Sequence, residues 1–203
     1  VKPEIFFKAA KWLMENQDKE GPEVRRVEGK GEGERSGDEQ SYVPVAQDRA
    51  RGWAYIRKAE KREEGLVCGG MTTVGICSLI ICKAHLVRHA SYKAIKERLN
   101  QSIFDGFGWL TNNWSVNQNP GTRRSFYYYL YGLERVGVMG GFDYIGGHNW
   151  YHEGARSIVP RQRPDGCWMA NQEVNPKDIL GTCFALLFLK RGTIPISSGE
   201  PER

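Results

Sequence analysis

The sequence predicts an all-α fold, arranged as a partial α/α barrel of about three helical hairpins. Six segments carry apolar residues at helical spacing. The first, third and fifth have mixed faces, whereas the second, fourth and sixth are more apolar, as expected of outer and inner helices. A turn motif, Gln-x-x-Asp-Gly-x-Trp, follows the fifth segment. Because one hairpin cannot bury its own apolar face, the hairpins must pack on one another.

The predicted helices cover, in order, residues 3–16, 71–88, 91–113, 124–138, 149–161 and 176–191. The second helix is apolar almost all round, so we expect it to be buried. The third carries one apolar stripe at helical spacing, formed by Ile95, Leu99, Ile103, Phe107 and Leu110. The sixth is strongly apolar from Ile179 to Leu189.

Residues 18–64 interrupt this helical pattern. They are dense in charges and glycine, and a stretch such as 30–39 cannot bury enough apolar surface to fold by itself. We therefore expect a mobile inserted loop, acting as a spacer or as a docking segment for a partner. The predicted organisation is a first repeat helix at 1–17, the charged loop at 18–64, toroid-type repeats at 65–192 and a disordered tail at 193–203.

The turn after the fifth helix has a physical rationale. Asp165 and Gly166 suit a tight turn that follows Pro164. The side chain of Gln162 can bond the exposed carbonyls of the helix end, and Trp168 can cover those bonds. A second copy begins at Gln17 and takes its tryptophan from Trp53, after the inserted loop. A degenerate third copy runs from Trp109 to Gly121.

This turn resembles the QW repeat of squalene-hopene and oxidosqualene cyclases, whose α/α toroid is related to that of protein prenyltransferases. The stretches 128–137 and 182–192 are similar to bacterial "prenyltransferase/squalene oxidase repeat" proteins, and the likeness spans most of residues 5–192. The resemblance implies an α/α toroid whose inner helices line a cavity. With about three hairpins, the chain is an open half-ring, a fragment of a larger toroid or one half of a homodimer.

Two enzyme activities of these families need residues that are incomplete here. Squalene-type cyclases use an Asp-x-Asp-Asp motif, which the sequence lacks. Protein prenyltransferases bind zinc through Asp, Cys and His; Asp165 and Cys167 match, but Gly181 replaces the histidine. We therefore expect no cofactor, because two protein ligands do not make a stable zinc site. A zinc site that joins Cys167 to His148 and His152 is the alternative.

The related thioester domains need a glutamine shortly after a reactive cysteine, and none follows Cys68. Thioester chemistry is excluded on that ground. We interpret Cys68 as a structural or incidental cysteine. The alternative is a reactive thiol, because Cys68 precedes the second predicted helix, whose N-terminus would lower the pKa of the thiol.

Aromatic residues crowd the fourth helix and the start of the fifth. The predicted ligand-binding residues are Phe126, Tyr127, Tyr128, Tyr129, Tyr131 and Trp150. On an inner helix of a toroid they would form an aromatic wall, which suits isoprenoids or extended peptide and sugar chains. The alternative is that three of the rings on the fourth helix only pack between hairpins.

The loop 146–154 combines glycines, imidazoles and a carboxylate. The candidate catalytic residues are His148, His152, Glu153 and Asp165. His152 could form an acid/base pair with Glu153 or Glu134. Glycines also suit a tight turn, and Asn149 suits a helix N-cap, so this loop has a purely structural interpretation as well.

Composition limits the partners. The net charge of +5 is mild and the basic residues form no single block, so we expect no nucleic-acid binding. No apolar run is long enough to span a membrane, so no transmembrane segment is expected. Five cysteines, mostly in apolar helical patterns, favour reduced thiols and the cytoplasm. The compartment stays open, because the chain begins inside a helical pattern and an upstream signal peptide could have been removed.

The predicted function is a non-catalytic repeat domain. It binds an extended or apolar ligand, or a protein partner, on a concave aromatic face. The first alternative is an enzyme of isoprenoid metabolism, a cyclase or a prenyltransferase, whose acidic or metal site is incomplete in this chain. The second is a carbohydrate-active toroid, with paired carboxylates drawn from Glu134, Asp143, Glu153 and Asp165.

Overall fold

A computed structural model describes residues 1–25, 40–56, 66–169 and 179–191, and these residues are mainly helical. The α-helices are Pro3–Asn16 (α1), Gly69–Leu86 (α2), Lys96–Asn112 (α3), Phe126–Gly140 (α4), Trp150–Ile158 (α5) and Ile179–Lys190 (α6). Short 3-10 helices cover Ala90–Ala94 and Val159–Arg161. The mainly helical class is confirmed. The tail predicted at 193–203 lies outside the described residues.

Most contacts between the helices involve α2 or α4. In one row α2 packs along α4, and α4 packs along α6. The other helices lie on the outside of this row: α1 and α3 pack against α2, and α5 packs against α4 and α6. In the described part of the chain, α2 is long and apolar enough to cross a membrane, with a mean hydropathy of 1.3, but 67% of it is buried inside the protein.

Small residues allow the two central helices to approach closely. A Cβ atom at Gly132 of α4 would collide with the hydroxyl of Thr73 on α2, and a Cβ atom at Gly75 of α2 would collide with the indole of Trp53. Both glycines therefore serve packing, since protein interiors are close-packed and leave no room for an extra methyl group.

The third predicted helix is divided in two. The 3-10 helix Ala90–Ala94 is capped by the imidazole of His89, which accepts a hydrogen bond from the Ser91 amide. Ile95, with a φ angle of −126°, then separates this turn from α3. The predicted apolar stripe is confirmed, because Ile95, Leu99, Ile103, Phe107 and Leu110 are all buried.

Part of the segment predicted as a mobile loop is packed against the helices. Tyr42, Asp48 and Trp53 are each no more than 5% exposed. The Tyr42 hydroxyl donates to Asp48 Oδ2 (2.9 Å), and the Arg51 guanidinium pairs with the buried carboxylate of Asp105 on α3. The prediction of a mobile loop is wrong for these residues, because partners from distant parts of the chain satisfy the polar groups that are buried. Residues 26–39 and 57–65 of the predicted loop lie outside the described residues.

A small sheet, which the sequence did not predict, joins this segment to the start of α5. Strand β1 (Ser41–Tyr42) pairs in parallel with β2 (Tyr144–Ile145), and β2 pairs antiparallel with β3 (His148–Asn149). Gly146 and Gly147 connect β2 to β3, both with positive φ, as the tightest hairpin turns require. The glycines of the candidate catalytic loop thus make a hairpin that positions His148.

Candidate functional site

Two distant turns are built with the same hydrogen bonds. The indole Nε1 of Trp168 donates to the carbonyl of Ile158 at the end of α5 (2.9 Å), and its amide donates to the hydroxyl of Thr182 on α6 (3.0 Å). Trp53 repeats both bonds, to Leu13 of α1 (2.9 Å) and to Thr72 of α2 (3.2 Å). In each turn a tryptophan therefore bonds the end of one helix, α1 or α5, and ties it to the next α-helix in the chain, α2 or α6.

The glutamines of these turns behave differently from the prediction. Gln162 donates to the carbonyl of Gly166 within its own turn (3.0 Å), whereas Gln17 donates to the carbonyls of Arg51 and Ser102 (both 2.9 Å). The helix-end carbonyl is bonded by the indole instead. The prediction that Gln162 bonds the helix end is wrong, because the indole of Trp168 donates to the Ile158 carbonyl and the Gln162 side chain bonds within its own turn.

The third, degenerate turn is closed without a tryptophan. The side-chain amide of Asn113 donates to the carbonyl of Trp109 at the end of α3 (2.9 Å). The hydroxyl of Tyr129 donates to the carbonyl of Ser115 in the following loop (2.9 Å). Tyr129 is therefore part of the scaffold between α3 and α4.

The six predicted ligand-binding aromatics divide into a buried and a half-buried set. Phe126, Tyr127, Tyr129 and Trp150 lie in the core. Trp150 donates its indole N–H to the carbonyl of Phe142 (2.7 Å), which gives it a structural partner. Tyr128 and Tyr131 remain half-buried, and both contact the ring of Phe184 on α6. Only these two rings of the set are partly accessible to solvent.

Tyr128 lines a cavity of about 390 Å³ at the N-terminal end of α2, which we call the tyrosine cavity. Its lining residues are Tyr55, Leu66, Cys68, Gly70, Met71, Asn119, Thr122, Arg124, Ser125 and Tyr128. The aromatic and sulfur-bearing side chains supply apolar surface, and the loop before α4 supplies hydrogen-bonding groups. Sequence reasoning missed Tyr55 and Met71, since one lies in the charged segment and the other in an ordinary helical pattern.

Burial dominates the acidity of the two titratable groups in this cavity that show a shift. It raises the pKa of the Cys68 thiol above its usual range, and the nearby amides of Met71 and Gly70 offset this only in part. It also raises the pKa of Tyr128. The raised pKa argues against the alternative of an activated thiol and agrees with a structural cysteine, because the cost of desolvating a thiolate exceeds the stabilisation by the helix end.

A carboxylate–imidazole pair joins the first turn of α5 to strand β3. Glu153 accepts hydrogen bonds from His148 Nδ1 (3.0 Å) and from the indole of Trp114 (2.9 Å), and the ring of Trp114 stacks on that of His148 at 4.6 Å. Burial raises the pKa of Glu153, but these hydrogen bonds outweigh it and leave the pKa below its usual value. The group is half-exposed, with 37% of the His148 side chain accessible.

The partner of Glu153 is therefore His148 rather than His152. His152 is exposed, and its backbone amide donates to the side chain of Asn149, which caps α5 as predicted. Glu134, the other proposed partner of His152, is completely buried. The acid/base pair predicted with His152 is not formed, because the hairpin turns His148 towards Glu153 across the start of α5.

Asp165 and Cys167 occupy the exposed tip of the turn. The carboxylate of Asp165 accepts from the Cys167 amide (3.3 Å) and pairs with Arg163 (3.4 Å). The hydrogen bond between the two side chains lowers the pKa of Asp165 and raises that of the Cys167 thiol. Within residues 1–25, 40–56, 66–169 and 179–191, no three His, Cys, Asp or Glu side chains are grouped to hold a metal ion.

Comparisons with family models, with curated proteins and with solved structures give no match to this chain. The assignment of a function therefore depends on the geometry of the sites described above.

Proposed function

We propose that this chain is a helical repeat domain of the α/α-toroid type that binds an apolar, extended ligand in the tyrosine cavity without transforming it. One observation carries the proposal. Tyr128, on a central helix, lines a cavity of about 390 Å³ together with the apolar side chains of Tyr55, Leu66 and Met71. This volume lies in the range of about 300 to 1,000 Å³ that small-molecule sites occupy.

The toroid assignment is supported by the arrangement of helices and turns. Helices α2, α4 and α6 contact one another in chain order, as the inner helices of such a ring would. The paired bonds of Trp53 and Trp168 are those expected of two copies of one repeat. Both features agree with the resemblance to QW-repeat proteins.

The lining of the cavity favours binding over catalysis. None of the described residues that line it is a carboxylate or an imidazole. The side chains of Thr122, Ser125 and Arg124 can bond a polar end of a ligand but are poorly suited to protonate an alkene, and the buried amide of Asn119 already bonds the backbone of Gly70 and Arg124. The His148–Glu153 pair does not line the cavity. The isoprenoid-enzyme alternative is therefore less well supported by this site.

Calorimetric titration with farnesol, an apolar isoprenoid alcohol, tests the proposal. We expect Tyr128→Ala to weaken binding about tenfold, which corresponds to about 1.4 kcal/mol, and Tyr128→Phe to bind nearly as the parent does. Tyr131→Ala is the matched control, since Tyr131 is on the same helix and does not line the cavity.

Two results would overturn this assignment. One is a parent protein that takes up no farnesol at its solubility limit; the other is an equal loss of affinity in the Tyr128→Ala and Tyr131→Ala variants. Conversion of farnesyl diphosphate to a new product would favour the enzyme alternative. Circular dichroism on each variant establishes that the fold is retained.

A further inference from the structure

A second cavity adjoins the tyrosine cavity and differs from it in character. It has a volume of about 780 Å³ and lies between the end of α1, the residues around Trp53 and the first turns of α2. We call it the acidic groove. The two cavities share Tyr55 and Met71 in their linings. The acidic groove is partly open to solvent, and its volume would hold several residues of an extended chain.

Large apolar side chains are exposed in this groove. Trp12 is 63% accessible, Tyr55 is 72% accessible and Ile56 is 50% accessible, and Val74 on α2 adds a further exposed position. Single exposed apolar residues are ordinary on protein surfaces, whereas a contiguous group that lines one groove indicates a binding surface.

The charge of the groove opposes that of the chain. Among the described residues, the exposed carboxylates of Glu15 and Glu20 line it beside one basic side chain, that of Lys19. The chain as a whole carries a formal charge of +5. A local excess of negative charge beside exposed aromatic rings is complementary to Lys and Arg side chains, which carboxylates and ring faces both attract.

The inner wall of the groove carries an acceptor without a donor. Gln17 is 4% exposed, and its Nε2 donates to two backbone carbonyls. Its Oε1 is buried and has no hydrogen-bond partner among the described residues. A buried acceptor left unpaired costs free energy, so a peptide that opens the wall at Gln17 and donates an N–H group to Oε1 would be stabilised.

We infer that the acidic groove is a docking site for an extended basic peptide of a partner protein, one in which Lys or Arg alternates with large apolar residues. The cationic side chains lie over the rings of Trp12 and Tyr55, close to Glu15 and Glu20. The apolar side chains cover Met71 and Val74. This inference does not depend on the apolar ligand proposed for the tyrosine cavity, because Glu15, Glu20 and the exposed ring of Trp12 line the acidic groove and not the tyrosine cavity.

Fluorescence anisotropy with a labelled Lys-Leu-Arg-Leu-Lys-Leu peptide tests the inference. A peptide with Gln at every basic position and one with Glu there are the sequence controls. We expect the basic peptide to bind, with Glu15→Lys and Trp12→Ala each weakening it about tenfold. The matched controls on the same helix are Glu4→Lys, an identical change of charge, and Ile5→Ala, another exposed apolar residue; neither lines the groove. Both should change the affinity less than about twofold.

The outcomes separate the possible occupants. An equal loss with Glu4→Lys and Glu15→Lys would mean unspecific attraction of charge, and equal binding of the Gln peptide would mean an apolar site without charge selection; each overturns the inference. Binding of the basic peptide only after the basic residues that follow Ile56 in the sequence are replaced would show that the chain fills its own groove, which also overturns it. Tyr128→Ala should leave peptide binding unchanged, because Tyr128 does not line the acidic groove. A failure of the peptide test therefore says nothing against the ligand proposed for the tyrosine cavity, and the reverse also holds.

Discussion

Trp168 and Trp53 hold equivalent positions in the protein. Each indole donates to the carbonyl four residues before a glutamine, Ile158 before Gln162 and Leu13 before Gln17. Each backbone amide donates to a threonine near the start of a helix, Thr182 of α6 or Thr72 of α2. The two tryptophans are 4% and 5% exposed. The two turns form the same hydrogen bonds, although the segment between Gln17 and Trp53 is much longer than that between Gln162 and Trp168.

Replacement of either tryptophan by phenylalanine should destabilise the protein. Trp168→Phe removes the indole donor of the Ile158 carbonyl, and an unpaired buried carbonyl costs about 1–3 kcal/mol in addition to lost packing. Trp53→Phe should cost less, because the Leu13 carbonyl keeps the hydrogen bond from the Gln17 amide. Urea denaturation measures the loss of unfolding free energy. Trp12→Phe is the control, and because Trp12 is exposed it should change that free energy by less than about 0.5 kcal/mol. Equal effects at all three positions would contradict the structural role assigned to the two turns.

Gly132→Ala should destabilise the contact between α2 and α4. In an ordinary helix this substitution stabilises by about 0.5–1 kcal/mol, because alanine has the higher helix propensity. Here the new Cβ atom would collide with Thr73, and overpacking of this kind costs about 1–3 kcal/mol. The sign of the change in unfolding free energy therefore shows whether overpacking against Thr73 outweighs helix propensity. A stabilised variant would show that α2 and α4 lie further apart than described here.

Glu153 should contribute a stability that depends on pH. Its pKa is lower in the folded protein than its usual value of 4.5, since the hydrogen bonds from His148 and Trp114 outweigh burial. The stabilisation is therefore complete above the unfolded-state pKa and is lost as the pH falls through the folded-state pKa. Glu153→Gln should narrow the difference in unfolding free energy between pH 7 and pH 3. His148→Gln, which removes one of the two bonds, should raise the Glu153 carboxyl pKa measured by NMR, and an unchanged pKa would argue against the pair.

The cysteines should differ widely in reactivity. Cys183 is exposed on α6, whereas Cys68 is buried and its thiol pKa is raised by that burial. Cys77 is more extreme, with burial raising its pKa to about 12. Alkylation with iodoacetamide at pH 7.5, followed by peptide mass spectrometry, should label Cys183 well before Cys68 and Cys77. The alkylation rate of Cys68 should keep rising as the pH increases beyond 9.0, the ordinary pKa of a thiol, because only the thiolate reacts. Rapid labelling of Cys68 at neutral pH would contradict the burial seen here.

Local pattern was sufficient to predict the helices. The stripe from Ile95 to Leu110 repeats at helical spacing, and all its members are buried. The N-cap at Asn149 and the turn at Gly166 could also be read locally, since capping and positive φ depend on neighbouring residues alone. The split of the third helix at Ile95 was not predicted, because apolar spacing continues through that position without a break.

The sites were decided by contacts between distant residues. Tyr128 and Tyr129 are adjacent and chemically identical, yet the packing of α3 and α4 buries one and leaves the other beside a cavity. Glu153 pairs with His148 because a sheet that includes residue 42 positions the hairpin before α5. The sequence by itself determined the helices and the turn residues, since these follow from local periodicity and backbone preference. Only the tertiary structure decided which rings, acids and thiols face a cavity, because burial and pairing depend on neighbours that come from elsewhere in the chain.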